Sequence, residues 1–352
     1  DVTGHDLTYQ WYRNGTAIPD ANASSYTQNN VHNDSSTLAS VNGEEKFLYG
    51  KLDEMRIYNR DLTATEIAIL PGLEPPVPTG TVRYVKASAS GSNNGTTWAN
   101  AYTDLQNALG AAQAGDEIWV AAGTYKPTAG ADRTISFAPS AGVKIYGGFV
   151  GTETLRSQRD WRANKTILSG DLSGNDNANI AYTEATRSDN SYHVVTIYNK
   201  ATEVVLDGLV VTAGNGPAGQ TWTTKKVGAG LDATGSKYTI RNCTFEKNSG
   251  SVGTSIHDSK GTSTVRIENT IFQNNVSHMA GTLRLASHAG GSWSVESCVF
   301  FNNHTKDSPF GYQWGGAAFL TGPASGASTV NNCVFANNYS TDAGGAIVTE
   351  KN

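Results

Sequence analysis

The sequence predicts an all-β protein, most of it a parallel β-helix in which short strands wind into stacked coils. Three observations carry this. One phrase recurs four times, as Ile240-Arg-Asn-Cys-Thr-Phe-Glu-Lys-Asn248, Ile267-Glu-Asn-Thr-Ile-Phe-Gln-Asn-Asn275, Val295-Glu-Ser-Cys-Val-Phe-Phe-Asn-Asn303 and Val330-Asn-Asn-Cys-Val-Phe-Ala-Asn-Asn338. After each copy comes glycine and then small or aliphatic residues, as in Gly253-Thr-Ser-Ile256, Gly281-Thr-Leu-Arg-Leu285, Gly315-Gly-Ala-Ala-Phe-Leu320 and Gly344-Gly-Ala-Ile-Val348. A fixed order of strands repeating every few tens of residues marks a solenoid. Finally, the chain has 38 glycines and only 16 % charged residues, which suits tight corners where Gly and Asn accept positive φ.

Within the repeat, Ile240 and Phe245 head two core columns, continued by Ile267 and Phe272, Val295 and Phe300, and Val330 and Phe335. Like residues on parallel strands fill such an interior without gaps. Asn242, Asn269 and Asn332 fall at corners, as do the closing Asn248, Asn275, Asn303 and Asn338. Stacked amides there hydrogen-bond along the rod and tolerate left-handed backbone. The glycine pairs serve a tight bend or a close approach to the next coil. The copies are 27, 28 and 35 residues apart, because extra residues bulge outward as loops. Cys243, Cys298 and Cys333 share one slot with Thr270. Three cysteines do not make a disulfide scaffold, and in-register side chains pointing one way read as free thiols in a column of small residues.

Upstream, residues 81–126 read as the start of the β-helix. A strand at Arg83-Tyr-Val-Lys-Ala-Ser88 leads to a turn, then to a short helix near 103–114. Thr103 and Gln106 form a capping box, Leu105, Ala108, Leu109 and Ala112 share one face, and Gly115 stands at the C-cap. Laid across the first coil, the helix covers a core end that would otherwise be exposed. Residues 71–80 carry four prolines and read as a semi-stiff linker. Residues 1–70 form a small β-rich segment. In it Asn14-Gly15 is a hairpin signal, Leu52-Asp-Glu-Met-Arg-Ile-Tyr58 alternates as a strand, and Thr63 and Glu66 fit a capping box.

Several stretches resemble known families. The strand and turn around Trp11 resemble the middle of an immunoglobulin-like bacterial surface module. Phe47 to Leu70 resembles the closing strand and helix of the concanavalin-A-like, laminin-G-like jelly roll. Both cover partial folds. The paired phrases over 240–350 resemble the repeat of the polymorphic outer membrane protein family, best between Phe335 and Ile347. Residues 83–126, with Ile145 to Glu153 and Ile167 to Gly174, resemble the start of secreted right-handed β-helix proteins of the pectate-lyase-like superfamily. The resemblance implies a right-handed β-helix on the outside of a bacterial cell, used for adhesion, display or polysaccharide contact.

A net charge of −5 argues against nucleic acid, which needs a basic face. No apolar run approaches a membrane span. Asp207, in an Asp-Gly pair between two apolar strands, reads first as a corner and second as a catalytic carboxylate. The segment Gly170 to Asn179 holds the best metal candidates: Asp171, Asn175 and Asp176 supply the hard oxygens calcium takes, at spacings that do not complete a calcium-loop motif. A solvated turn is the plainer reading, and no other cofactor is implied. His193, His257, His278, His288 and His304 show no metal spacing and read as surface or loop residues. Trp222, Trp293, Tyr312 and Trp314 lie in or near loops, where aromatic rings stack on sugars or anchor packing.

The leading expectation is a non-catalytic structural or adhesive rod at the cell surface. Its C-terminal coil reads as ending without a closing cap, either a truncation or a surface that another copy covers; in the second case head-to-tail self-association through that end and the N-terminal β segment would make filaments. The alternatives are a polysaccharide lyase or hydrolase, and a carbohydrate-binding module without catalysis.

Overall fold

The computed structural model describes residues 80–216, 227–258, 261–286, 290–305, 315–322 and 328–351. It also describes two antiparallel strand pairs, Tyr12–Arg13 with Thr16–Ala17 and Ser35–Ser36 with Leu48–Tyr49. The first pair flanks Asn14-Gly15. Trp11, the strand expected at 52–58, and Thr63 and Glu66 lie outside the described residues. The chain divides into two compact units, Asp1–Val77 and Pro78–Asn352.

The second unit is a parallel β-helix. Its long sheet has eight parallel strands: Val82–Val85, Glu117–Ala121, Lys144–Phe149, Val204–Asp207, Lys237–Arg241, Thr264–Glu268, Ser292–Glu296 and Thr329–Asn331. A second sheet follows it round the corner, with seven strands from Gly123–Tyr125 to Val334–Ala336. A third has six, from Val195–Tyr198 to Ile347–Lys351. Between the second and third, a four-stranded sheet runs from Ser249–Val252 to Tyr339–Ser340.

The repeat stacks in register. Phe245 pairs with Phe272, Phe272 with Phe300 and Phe300 with Phe335. Successive ring centroids are 5.5, 4.7 and 4.7 Å apart, with interplanar angles of 17°, 7° and 4°. Ile240, Ile267, Val295 and Val330 form the parallel column on the long sheet. Cys243, Cys298 and Cys333 are free thiols. Burial pushes the Cys243 thiol up to about 12, so it behaves as a small apolar side chain.

The asparagines divide the labour that the sequence assigned to them together. Asn242, Asn269, Ser297 and Asn332 take positive φ at the first corner. Gly208 fills the same slot in the coil before, with φ +75°, so Asp207-Gly208 is a corner. At the second corner positive φ belongs to Lys247, Asn274, Asn302 and Asn337. The closing asparagines one residue later point inward instead. Asn248 donates through N and Nδ2 to Asn275 Oδ1 at 3.0 and 3.2 Å, Asn275 does the same to Asn303, and Asn303 to Asn338. Each Nδ2 also donates to a backbone carbonyl of the preceding coil, those of Val211, Phe245, Phe272 and Phe300. An asparagine ladder thus satisfies the buried backbone where the strand breaks. Both uses foreseen for the glycine pairs occur: Gly315 has φ +68°, and a Cβ on Gly316 would lie 2.2 Å from the Gly345 carbonyl oxygen.

The helix spans Leu105–Ala111, shorter than expected. Its N-cap is Asp104, not Thr103: Asp104 accepts from Gln106 N at 2.9 Å. Gln106 turns its side chain away to Pro127 O and Ser136 O, and Thr103 N donates to Asn93 Oδ1. The C-cap is Ala112, while Gly115 takes positive φ in the turn beyond. Leu105, Ala108 and Leu109 are buried with Val85, Ile118 and Val120, so the helix covers the core of the first coils.

After Phe149 the chain folds into an arm, residues 150–165, over the outer face of the long sheet. Glu153 accepts from the N–H groups of Val150, Gly151 and Thr152. Burial works against its charge, but these donors prevail and hold its pKa below the usual range. Beneath lie Trp119, Tyr146 and Phe149, all buried. Trp119 and Phe149 stack at 4.8 Å, and Arg156 lies over the Tyr146 ring at 4.5 Å.

Candidate functional site

The arm covers the outer face of the early strands; among the described residues no such segment covers that of the later ones. There a shallow groove of about 440 Å³ opens, lined among others by Glu203, Lys237, Thr239, Arg266, Trp293 and Ser294. Period-two alternation builds it. Lys237, Thr264 and Ser292 align in one outward row, and Thr239, Arg266, Ser294 and Thr329 in another. Short hydroxyls keep the floor low. Thr239 Oγ1 donates to Glu203 Oε1 at 2.6 Å, and Arg266, 64 % exposed, leans on Glu268 Oε1 at 3.1 Å. Hydroxyls with one or two exposed cations can hydrogen-bond a polar or anionic chain lying along the sheet.

A third outward row contains Asp207, Arg241, Glu268 and Glu296. Asp207 is fully buried. It pairs with Arg159 from the arm at 2.8 Å and with Arg241 at 2.7 Å, and accepts from Asn242 Nδ2 at 2.9 Å. Burial disfavours the Arg241 charge, but Asp207 beside it prevails and raises the pKa. Asp207 is therefore an ion-pair hub that ties arm to sheet, out of reach of a substrate.

The structure disperses the residues singled out in the sequence. Trp293 is 7 % exposed and its Nε1 donates to Thr321 O at 3.1 Å, so its indole belongs to the core behind the groove. Trp222, Tyr312, Trp314 and His288 lie outside the described residues. Asp171 accepts from Gly174 N and Asn175 N with Oδ1, and from Asp176 N with Oδ2. Asp176 Oδ2 accepts from Arg187 Nη1 and Asn190 Nδ2, both at 2.9 Å. Burial raises the Asp176 pKa against the pull of Arg187. Among the described residues no three His, Cys, Asp or Glu side chains are grouped to hold a metal.

The sequence predicts surface or loop positions for the histidines; His193, His257 and His278 are buried, His193 in a loop and the other two on strands. For His257 the reason lies in the outward row of the third sheet, Thr196, Asp232, His257 and Arg284, which is itself buried. Asp232 accepts from Tyr198 OH at 2.6 Å and bonds His257 Nδ1 at 2.8 Å. Burial first, then Asp232, raises the Tyr198 pKa. Sequence reasoning missed this row. Aligning the third-sheet strands rung by rung would have found it, since Asp232, His257 and Arg284 occupy one slot in successive coils.

Residues 2–68 match the concanavalin A-like lectin/glucanases superfamily, and residues 332–350 match the Chlamydia polymorphic membrane protein repeat. No curated protein matches the chain. Two solved structures of the pectin methylesterase from Aspergillus niger are similar at low level. One, in deglycosylated form, shares 15 % identity at a TM-score of 0.34, over 76 % of this chain and 91 % of that one. The other, penultimately deglycosylated, shares 16 % at 0.33, over 76 % and 87 %. A likeness that loose carries nothing about activity.

Proposed function

We propose that this chain is an extracellular bacterial surface protein whose β-helix is a non-catalytic rod for adhesion and display. One observation carries the reading. Inward positions of the repeat phrase are held to phenylalanine, aliphatic residues, asparagine and one slot of cysteine or threonine, while the outward row Thr239, Arg266, Ser294 and Thr329 changes at every coil. A scaffold of that kind fixes its core and leaves its surface free. The match of residues 332–350 to a surface-protein repeat supports the same reading. Mild protease treatment of intact source cells tests it: peptides from this chain are expected in the released fraction, and retention of the whole chain inside the cell would overturn it.

Self-association belongs to the proposal. A sheet edge left unpaired in the whole protein accepts another strand. The β-rich N-terminal unit of a second copy is the partner proposed, giving head-to-tail filaments. Electron microscopy at high protein concentration is expected to show them; monodisperse particles would sink the idea.

The groove favours one second reading, a carbohydrate contact without catalysis. A glycan array is expected to show binding that falls at least tenfold for Arg266→Ala. Binding unchanged in that variant would remove the groove from consideration.

A further inference from the structure

Buried polar atoms almost always have partners, because leaving one unpaired costs free energy. In one place five oxygens have none: Asp176 Oδ1, Asn190 Oδ1, Ser191 Oγ, Asn215 Oδ1 and Ser249 Oγ. They belong to residues bonded to one another. Asn190 Nδ2 donates to Asp176 Oδ2, Asn215 N donates to Ser191 O, and Asn215 Nδ2 donates to Arg187 O, each at 2.9 Å. Ser249 N reaches Gly214 O at the same distance. Asn190 and Ser191 are fully buried and Asn215 is 3 % exposed.

The amide orientations are settled by their surroundings. Asn190 Nδ2 faces Asp176 Oδ2 and Ala213 O, and Asn215 Nδ2 faces Arg187 O and Tyr182 O. Flipping either amide would set oxygen against oxygen. The unpartnered atom in each is therefore its carbonyl oxygen. Because Asn190 Nδ2 sits on one oxygen of the Asp176 carboxylate, Asn190 Oδ1 is held beside that carboxylate. Asp176 Oδ1, Asn190 Oδ1 and Asn215 Oδ1 can only accept, and neither the Ser191 and Ser249 hydroxyls nor Arg187 Nε, the one unpaired nitrogen in the group, reaches them. Carboxylate, amide and hydroxyl oxygens without matching donors are the ligands of a hard cation.

We infer that Asp176 Oδ1, Asn190 Oδ1 and Asn215 Oδ1, with the hydroxyls of Ser191 and Ser249, form a buried calcium site. It lies inward of the loop first suggested by the sequence. Asp171 is excluded because both its oxygens serve its own backbone, and the ligand set takes Asn190 in place of Asn175. One carboxylate, shared with Arg187, makes the site weak, in the range of about 10⁻⁴–10⁻³ M that suits extracellular modules. The inference rests on this geometry and not on the adhesive reading.

Thermal unfolding of the whole chain tests it. At about 10 mM CaCl₂ the midpoint is expected to rise by about 2–4 °C, since a ligand bound only to the folded state stabilises it. An equal concentration of MgCl₂ should do little, because Mg²⁺ demands a smaller octahedron and keeps its waters. Asn190→Ala should abolish the calcium response and Asn175→Ala should leave it intact. Asn190→Asp, which adds a carboxylate, should tighten binding about tenfold, read by terbium luminescence sensitised by Tyr182. If Mg²⁺ acts as Ca²⁺ does, or if neither the wild type nor Asn190→Asp responds, the oxygens hold ordered water only and the inference falls. A response lost in Asn175→Ala but kept in Asn190→Ala would place the ion in the outer loop and also overturn it.

Discussion

Asp258 shows how one residue can make this rod sensitive to pH. It lies in an inward slot of the third sheet, between Ala233 and Leu285 in register, and is 1 % exposed. Burial pushes its carboxyl up to about 6, although His257 and a hydrogen bond from Tyr238 OH at 3.2 Å both favour the charged form. The folded pKa stands above the unfolded value of 3.8, so the folded state binds the proton more tightly. The contribution to stability is fully present below about pH 4 and is lost as pH rises through about 6. Its size is on the order of 2–3 kcal/mol. Asp258→Asn keeps an acceptor for Tyr238 and removes the charge. Relative to wild type, the variant is expected to gain stability steadily from pH 4 to pH 7 in urea unfolding. Parallel profiles for the two proteins would show that Asp258 does not titrate in this window.

The capping helix separates two readings at the scale of an element. The pattern Thr103-Asp-Leu-Gln106 permits a cap at either of two positions, and local sequence cannot choose between them. Packing chooses: Asn93 takes Thr103 N, leaving Asp104 to cap. Asp104→Ala is therefore expected to cost about 1 kcal/mol and Thr103→Ala well under that, as measured by urea midpoints. Equal losses would restore the Thr103 cap. The same limit explains what was legible elsewhere. Columns such as Phe245 to Phe335 were readable because the repeat writes each rung in the sequence. The ladder of Asn248 to Asn338 was seen, but corner and interior roles were merged, since neighbouring asparagines look alike until backbone φ separates them. The Asp207 hub was not readable at all. Arg159 and Arg241 come from an arm and a strand far apart in the chain, and no local period encodes their meeting. The oxygen cluster at Asp176 was half visible, because Asn190, Asn215 and Ser249 reach it only through the coil.

Across the whole β-helix, contacts run mainly from each coil to the next, so energetic coupling should follow the stack. The inward column of the second sheet makes this testable. It runs Tyr125, Leu168, Val211, Phe245, Phe272, Phe300 and Phe335 in register. Phe272 and Phe300 stack at 4.7 Å, and both are fully buried. Each Phe→Ala is expected to cost about 3–5 kcal/mol. Removing both rings costs less than the sum, because the second deletion loses a stack already broken; the coupling should be about 1 kcal/mol. Leu168 and Phe300 lie four rungs apart in the same column, with no shared neighbour. Their double mutant is expected to be additive within about 0.5 kcal/mol. Urea unfolding of the two cycles decides the matter. Equal coupling in both would mean that the core responds as one body, and the nearest-neighbour account of the rod would have to be given up.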